Sequence, residues 1–232
     1  MLGILTLDTA FPRIPGDVGA SDTFAFPVRH ATVAGAFVDD VVHRGDNTLL
    51  PQFVDAANAL VEDGCIGIAT TCGFLVRWQR ELAAQIEVPV LTSALLQLPL
   101  VQRCLPRNRR AGVVTYSAAA LTPAVLEAAG GDPNTPIEGV DPQSHFGRAI
   151  RHGAARLDPD LMAGDVIAAA RRLAAAHGDL GAIVLECANM PPYRAAVCAA
   201  IELPVFDAAQ LITWFYAGIA GTGARYSRHN LW

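Results

Sequence analysis

The pentapeptide Ile86-Glu87-Val88-Pro89-Val90 returns in the second half of the chain as Ile201-Glu202-Leu203-Pro204-Val205. A cysteine stands 17 positions before each proline: Cys72 before Pro89, and Cys187 before Pro204. Upstream, Gly3-Ile4-Leu5-Thr6 is echoed by Gly112-Val113-Val114-Thr115, with 69 positions from Gly3 to Cys72 and 75 from Gly112 to Cys187. Self-similarity at this scale marks a duplicated structural unit. Each copy places one cysteine just after a buried strand and just before a helix.

Outward from that repeat, short β-rich apolar runs alternate with helical patterns, the pattern of parallel sheets covered by helices. Strands are expected at 3–7, within 32–42, and at 65–69 and 88–91, then at 111–115, 136–140, 182–185 and 203–206. Helices are expected at 49–61, through Leu75, Trp78, Leu82 and Ile86, and at 95–101, 123–129, 161–176, 193–201 and 210–220. The Pro/Gly-rich stretch 11–27 is a long loop, which suits a lid or substrate loop. The expected architecture is α/β: two pseudo-symmetric lobes, each a mainly four-stranded parallel sheet flanked by helices, with the active site between them. Residues 1–105 form the first lobe and 106–206 the second, with a terminal helix at 207–232 packing back on the first.

Of the 232 residues, 52% are hydrophobic, and 17 Lys and Arg face 22 Asp and Glu for a net charge of −5. No dense basic run exists, because the cluster Arg103 to Arg110 is interrupted by Pro106, so a nucleic-acid partner is not expected. No apolar stretch approaches the roughly 18 residues of a membrane span. The opening Met1 to Asp8 lacks the cationic and apolar regions of a signal peptide. Five cysteines, with no short-spaced pair, fit a reducing, cytoplasmic setting. No clustered ligand motif suggests a metal, and the apolar helices leave room for a homodimer interface.

In open parallel sheets ligands bind beyond the carboxyl ends of the strands, where both Cys72 and Cys187 are expected. A helix N-terminus there stabilises a thiolate, so each cysteine is expected to titrate near neutrality and to serve as base or acid. Two such thiols facing each other across a cleft can remove a proton from one face of a carbon acid and return one to the other. That inverts a stereocentre with no cofactor. Amide N–H groups around Thr71-Cys72-Gly73 and Cys187-Ala188-Asn189 are expected to hold a substrate carboxylate and the charge that develops on it. Asp8 and Thr9 end the first strand, and Tyr116 and Ser117 the equivalent strand of the second lobe; all four are substrate-binding candidates.

With these residues in view, the chain resembles the aspartate/glutamate racemase superfamily, which includes hydantoin racemases, maleate isomerases and arylmalonate decarboxylases. The resemblance spans nearly the whole length and rests on Thr70-Thr71-Cys72-Gly73, Glu186-Cys187-Ala188-Asn189 and the paired first strands. It implies two lobes, no cofactor and one catalytic cysteine per lobe, here Cys72 and Cys187. The decarboxylase branch keeps only the second cysteine, so Cys72 implies proton transfer on both faces. Glutamate racemases carry Asp-Ser-Gly where this chain has Asp8-Thr9-Ala10, and Cys-Thr-His where it has Cys187-Ala188-Asn189. The chain looks closer to a branch with Pro15-Gly16-Asp17-Val18-Gly19 and Asn189-Met190-Pro191-Pro192-Tyr193.

The expected activity is a PLP-independent racemase or epimerase acting on a small carboxylate-bearing carbon acid, with an acidic amino acid as first substrate. Alternatives are a hydantoin racemase, a maleate-type cis–trans isomerase with a nucleophilic cysteine, and a binding protein with a racemase-like cleft. Asn189 suits a cap as well as a substrate contact. Strand alternation leaves open whether Glu186 points toward Cys187. Arg13 or Arg29 could pair with a distal carboxylate; His145 and His152 are secondary candidates. Cys65, Cys104 and Cys198 fit structural roles at a strand start, in the connection and mid-helix.

Overall fold

The computed structural model describes residues 1–221, and the part of the expected terminal helix beyond residue 221 lies outside them. Two four-stranded parallel sheets make up the fold. The first contains β1 (Leu2–Leu7), β2 (Val28–Val33), β3 (Ile68–Thr70) and β4 (Val90–Leu91), in the order β2-β1-β3-β4. The second contains β5 (Arg110–Thr115), β6 (Ile137–Gly139), β7 (Leu180–Leu185) and β8 (Val205–Phe206), in the order β6-β5-β7-β8. The two orders are the same, one residue set replacing the other.

The duplication extends to single hydrogen bonds. The amide of Ile68 donates to the Pro89 carbonyl and that of Ile183 to the Pro204 carbonyl, both at 2.9 Å. Thr71 donates to Leu5, and Glu186 to Val114, again both at 2.9 Å. The repeated prolines thus occupy the same ladder position, lacking only an N–H while their carbonyls still accept. All six residues of β1 are buried, because a central parallel strand is covered on both faces.

Helices cover the sheets as their apolar spacing dictates. On α1 (Leu50–Glu62) the buried residues are Phe53, Ala57 and Leu60, one stripe at helical period. On α6 (Pro159–Ala176) Met162, Val166, Ala169, Ala170 and Leu173 do the same, and Asp158 caps the helix by accepting from the amides of Asp160 and Leu161. The shorter α2 (Gln79–Gln85), α3 (Leu98–Cys104), α4 (Pro123–Ala128) and α7 (Arg194–Ile201) complete the layers. The last helix, α8 (Ala208–Ala220), starts in an Asp207–Gln210 capping box and packs on the first lobe, where Phe26 stacks on Tyr216 at 3.9 Å.

Two segments differ from the sequence expectation. The strand expected within 32–42 lies earlier, at Val28–Val33, and overlaps that range only at Thr32 and Val33; a π-helical turn follows at Asp39–Arg44. Gly35, at φ 74°, turns the chain out of the strand. Val41 and Val42, which read as strand, are buried from the helical turn. The helix α5 (His145–His152) was not expected at all. Ser144 caps it, and Phe146, Ala149 and Ile150 face inward. Cys104 closes α3 rather than lying in the connection, and Cys65 precedes its strand.

Phe53 is fully buried and its ring lies 5.5 Å from that of Trp78. Phe53→Ala is expected to lower unfolding free energy by roughly 3–5 kcal/mol in urea titrations. A loss below about 1 kcal/mol would mean that the α1–sheet layer packs otherwise.

Candidate active site

Because the strands within each sheet run parallel, β1 and β3 end on one edge of the first sheet and β5 and β7 on one edge of the second, and residues that follow both pairs line one chamber. Cys72 follows β3 and Cys187 follows β7 by two residues each. Each thiol's backbone carbonyl closes a turn, Cys72 accepting from Leu75 at 3.1 Å and Cys187 from Met190 at 2.9 Å. Cys72 then leads directly into a 3-10 turn, Gly73–Trp78, as expected. Cys187 does not: the next helical turn, Pro191–Tyr193, begins only after Met190. The expectation of a helix N-terminus at both thiols therefore holds for Cys72 alone.

Both cysteines open onto one chamber. Its apolar wall comes from Leu7, Phe11, Val38, Val42, Phe74 and Ile150. Thr9, Thr71, Gly73, Tyr116 and Asn189 of the expected set line it, together with Arg13 and Glu186. The Thr71 hydroxyl is buried with no hydrogen-bond partner among the described residues, so it is free to meet a ligand.

The other expected residues lie elsewhere. Asp8 accepts the Gly35 amide at 3.0 Å and faces a neighbouring groove that Arg151 and His152 also line. Ser117 donates its amide to the Thr115 hydroxyl and stays outside the chamber. Ala188 lies behind Cys187, its carbonyl accepting from Val18 at 3.2 Å. Arg29 pairs with Asp63 at 3.0 Å, and His145 accepts from the Asp158 amide at 3.2 Å. Cys198 donates to the Leu203 carbonyl at 3.3 Å.

A polar chain ties the loop of the first lobe to the thiol of the second. The Cys187 thiol donates to Asn189 Oδ1 at 3.4 Å, and Asn189 Nδ2 donates to Asp17 Oδ2 at 2.6 Å. Asp17 also receives the Gly19 amide at 2.7 Å and pairs with Arg13 at 3.3 Å. Arg13 donates further to Thr9 Oγ1 at 3.0 Å and lies 4.4 Å over the Phe11 ring. Its guanidinium is thus already engaged.

Glu186 was undecided from strand alternation, and the alternation does not apply because β7 ends at Leu185. The side chain reaches across to the other lobe and lies against Gly73, where an added Cβ would meet the Glu186 carboxylate and sit 2.7 Å from the Glu186 backbone carbonyl oxygen. The carboxylate Oε2 accepts from Thr115 Oγ1 at 2.8 Å. Only glycine permits this approach.

Electrostatics in the chamber favour neutral groups. Burial, with the nearby Glu186 carboxylate, pushes the Cys72 thiol up to about 12, against donation from the Phe74 and Leu75 amides and the charge of Arg77. Burial and Glu186 hold Cys187 well above its ordinary value. Burial raises Tyr116 to about 12 and Glu186 to about 7, the Thr115 hydroxyl opposing the latter. The expectation of thiols titrating near neutrality is therefore overturned: desolvation outweighs the backbone donors.

A two-lobed chain of duplicated parallel sheets, with a thiol from each lobe in one chamber, defines a class of protein. The chain has the fold of the aspartate/glutamate racemase superfamily, the family that its motifs resemble. Allantoin racemase from Klebsiella pneumoniae superposes with a TM-score of 0.66 at 18% identity, covering 99% of this chain and 92% of that one. Arylmalonate decarboxylase superposes at 0.61 and 17% identity, covering 97% of each chain. In sequence the chain is similar to dimethylsulfoniopropionate lyases. It is 28% identical over 226 residues to that of Durusdinium sp. clade D, covering 94% of this chain and 74% of the relative. It is 29% identical over 230 residues to lyase 7 of Emiliania huxleyi (strain CCMP1516), covering 94% and 67%. No family model matches the chain. All of these matched proteins are named as enzymes. Among the described residues no helix is long and apolar enough to cross a membrane.

Glu186 sets a pH dependence of stability. Unfolded, it ionises near 4.5; folded, it keeps its proton to about 7. Between those values the native state binds the extra proton, so rising pH weakens the fold. The contribution is full below 4.5 and lost by about 7. Glu186→Gln is expected to remove this slope and to stabilise the protein above about pH 7 by up to about 3 kcal/mol, at about 1.4 kcal/mol per pH unit. Denaturation of both proteins across this range measures it; a difference that does not change with pH would contradict the assignment.

Proposed function

We propose that the protein is a cofactor-independent carbon-acid enzyme in which Cys72 removes the proton next to a substrate carboxylate. We take its outcome to be β-elimination from a sulfonium-type substrate such as dimethylsulfoniopropionate. The observation that carries the reading is the charge balance of the chamber lining: two thiols and the Glu186 carboxylate against one guanidinium, Arg13, that is already paired with Asp17.

A thiol at about 12 is nearly all protonated at neutral pH. A cationic group within about 4 Å, at an effective dielectric constant of about 20, is worth about 4 kcal/mol, or roughly three pH units. A sulfonium substrate therefore activates the base that it needs. An acidic amino acid would add negative charge and needs a second anchoring cation. Cys72 is the better base of the two because the Phe74 and Leu75 amides and Arg77 favour its thiolate, whereas the Cys187 proton is held on Asn189.

In the reaction the Cys72 thiolate takes the α-proton. The C–H electron pair becomes the Cα=Cβ bond, and the Cβ–S bond breaks to release neutral dimethyl sulfide and acrylate. The Thr71 hydroxyl, which has no partner among the described residues, holds the carboxylate as charge builds on it. The similarity to lyases over most of the chain supports this outcome. Racemisation is the second reading, favoured by the second thiol, Cys187, which sits where it could return a proton to the opposite face.

Incubation with dimethylsulfoniopropionate, monitored for dimethyl sulfide, tests the proposal. Wild-type release is expected to fall about 10²–10⁴-fold in Cys72→Ser. Parallel incubations of single enantiomers of Asp, Glu and 5-substituted hydantoins in D₂O follow α-deuterium. Exchange there, lost in both Cys72→Ser and Cys187→Ser with no dimethyl sulfide release, would replace elimination by racemisation. Full activity in Cys72→Ser would overturn both.

A further inference from the structure

Glu186 is 1% exposed and lies between two cavities. On one side is the chamber with both thiols; on the other is a small cavity of mixed lining, with Thr70, Thr92 and Ser93 as its hydroxyl-bearing residues. It stands beside Cys187 in the chain and lies against Gly73, the residue after Cys72. The duplication gives it a counterpart, since Thr71 and Glu186 make the same ladder hydrogen bond in their lobes. At this matched position one lobe carries a hydroxyl and the other a carboxylate.

No cation faces that carboxylate among the described residues. From the end of β7 it meets Cys187, from the first lobe Cys72, and from the end of β5 the Thr115 hydroxyl and the Tyr116 amide. From the rear come Thr92, Ser93, Ala208, Leu211 and Ile212, none of them ionisable. Arg77 acts on Cys72 and Asp17 on Cys187. Ionising a thiol while Glu186 is charged would bury two like charges side by side, which the chamber resists.

We infer that Glu186 is the proton acceptor of the cysteine pair: it takes the Cys72 thiol proton as the sulfur ionises, so the closed site holds one negative charge instead of two. This inference rests on the reading of Cys72 as base. The proton count balances. The S–H proton passes to the carboxylate, the thiolate then takes the substrate proton and is again S–H, and the glutamic acid loses its proton toward the rear cavity and solvent. Glu186 acts through the thiol and does no bond-making with substrate, so it is a positioning residue.

The rate at which iodoacetamide alkylates Cys72, followed by peptide mass spectrometry against pH, tests this without any substrate. In the wild type the rate is expected to rise to a break near 7 and then stay flat. Above the break, thiolate with glutamic acid and thiol with glutamate contain the same number of protons. In Glu186→Gln the break is expected to vanish, the rate climbing about tenfold per pH unit until the thiol itself titrates. Thr115→Val removes a hydrogen bond to the ionised carboxylate, so its break is expected at higher pH and checks the same claim in a second variant. A wild-type rate without a break, or a break that persists in Glu186→Gln, would overturn the inference; so would a Thr115→Val break that does not move. A purely structural role would change the amplitude and leave the shape. Because the readout needs no turnover, failure of the lyase assay leaves this result standing, and the reverse holds too.

Discussion

Two hydrogen bonds of equal length decide where the chemistry can occur. Thr71 to Leu5 and Glu186 to Val114 are the last ladder bonds of β3 and β7, and the next residue in each case is a cysteine. Side chains at the ends of parallel strands point out of the sheet edge into the crevice. With the same strand order in both lobes, the two thiols share one chamber without any loop having to place them. The loop then adds a closure, since Asp17, Asn189 and Cys187 form a chain from one lobe to the other.

That placement has an electrostatic consequence. Burying two thiols and a carboxylate together, with the one lining guanidinium already paired, leaves a chamber that resists a second negative charge. On the proposed lyase reading, substrate charge becomes part of the machinery. A cation lowers the cost of the thiolate, and a neutral Glu186 lowers it further. The same burial weakens the fold as pH rises toward 7, so the site holds its reactive groups at some expense in stability.

The fold was legible in the sequence because duplication leaves countable marks. The 17-residue spacing from Cys72 to Pro89 and from Cys187 to Pro204 survives because both prolines hold the same ladder position. The chamber's walls were less legible. Val38 and Val42 come from a helical turn that an apolar run disguised as strand, and Ile150 from α5, whose eight residues include a glycine and two histidines. Glu186 was obscured because alternation along a strand has no force one residue past its end. Thiol acidity is not legible at this level, because a helix N-terminus can be read from sequence, whereas desolvation depends on residues brought in from both lobes. Asp8, Ser117 and Ala188 sit at strand ends as expected, yet their polar groups serve the backbone nearby.

Cleavage of the bond between hydrogen and the carbon next to the carboxylate is the core of this account. Its most direct measure is the kinetic isotope effect on kcat/KM with α-deuterated dimethylsulfoniopropionate. Removal of that proton by Cys72 predicts a primary effect, with the deuterated substrate turning over several-fold more slowly. Equal rates for the two substrates in solvents of raised viscosity and in water alike would contradict proton abstraction as a rate-determining event and with it the role given to the thiol.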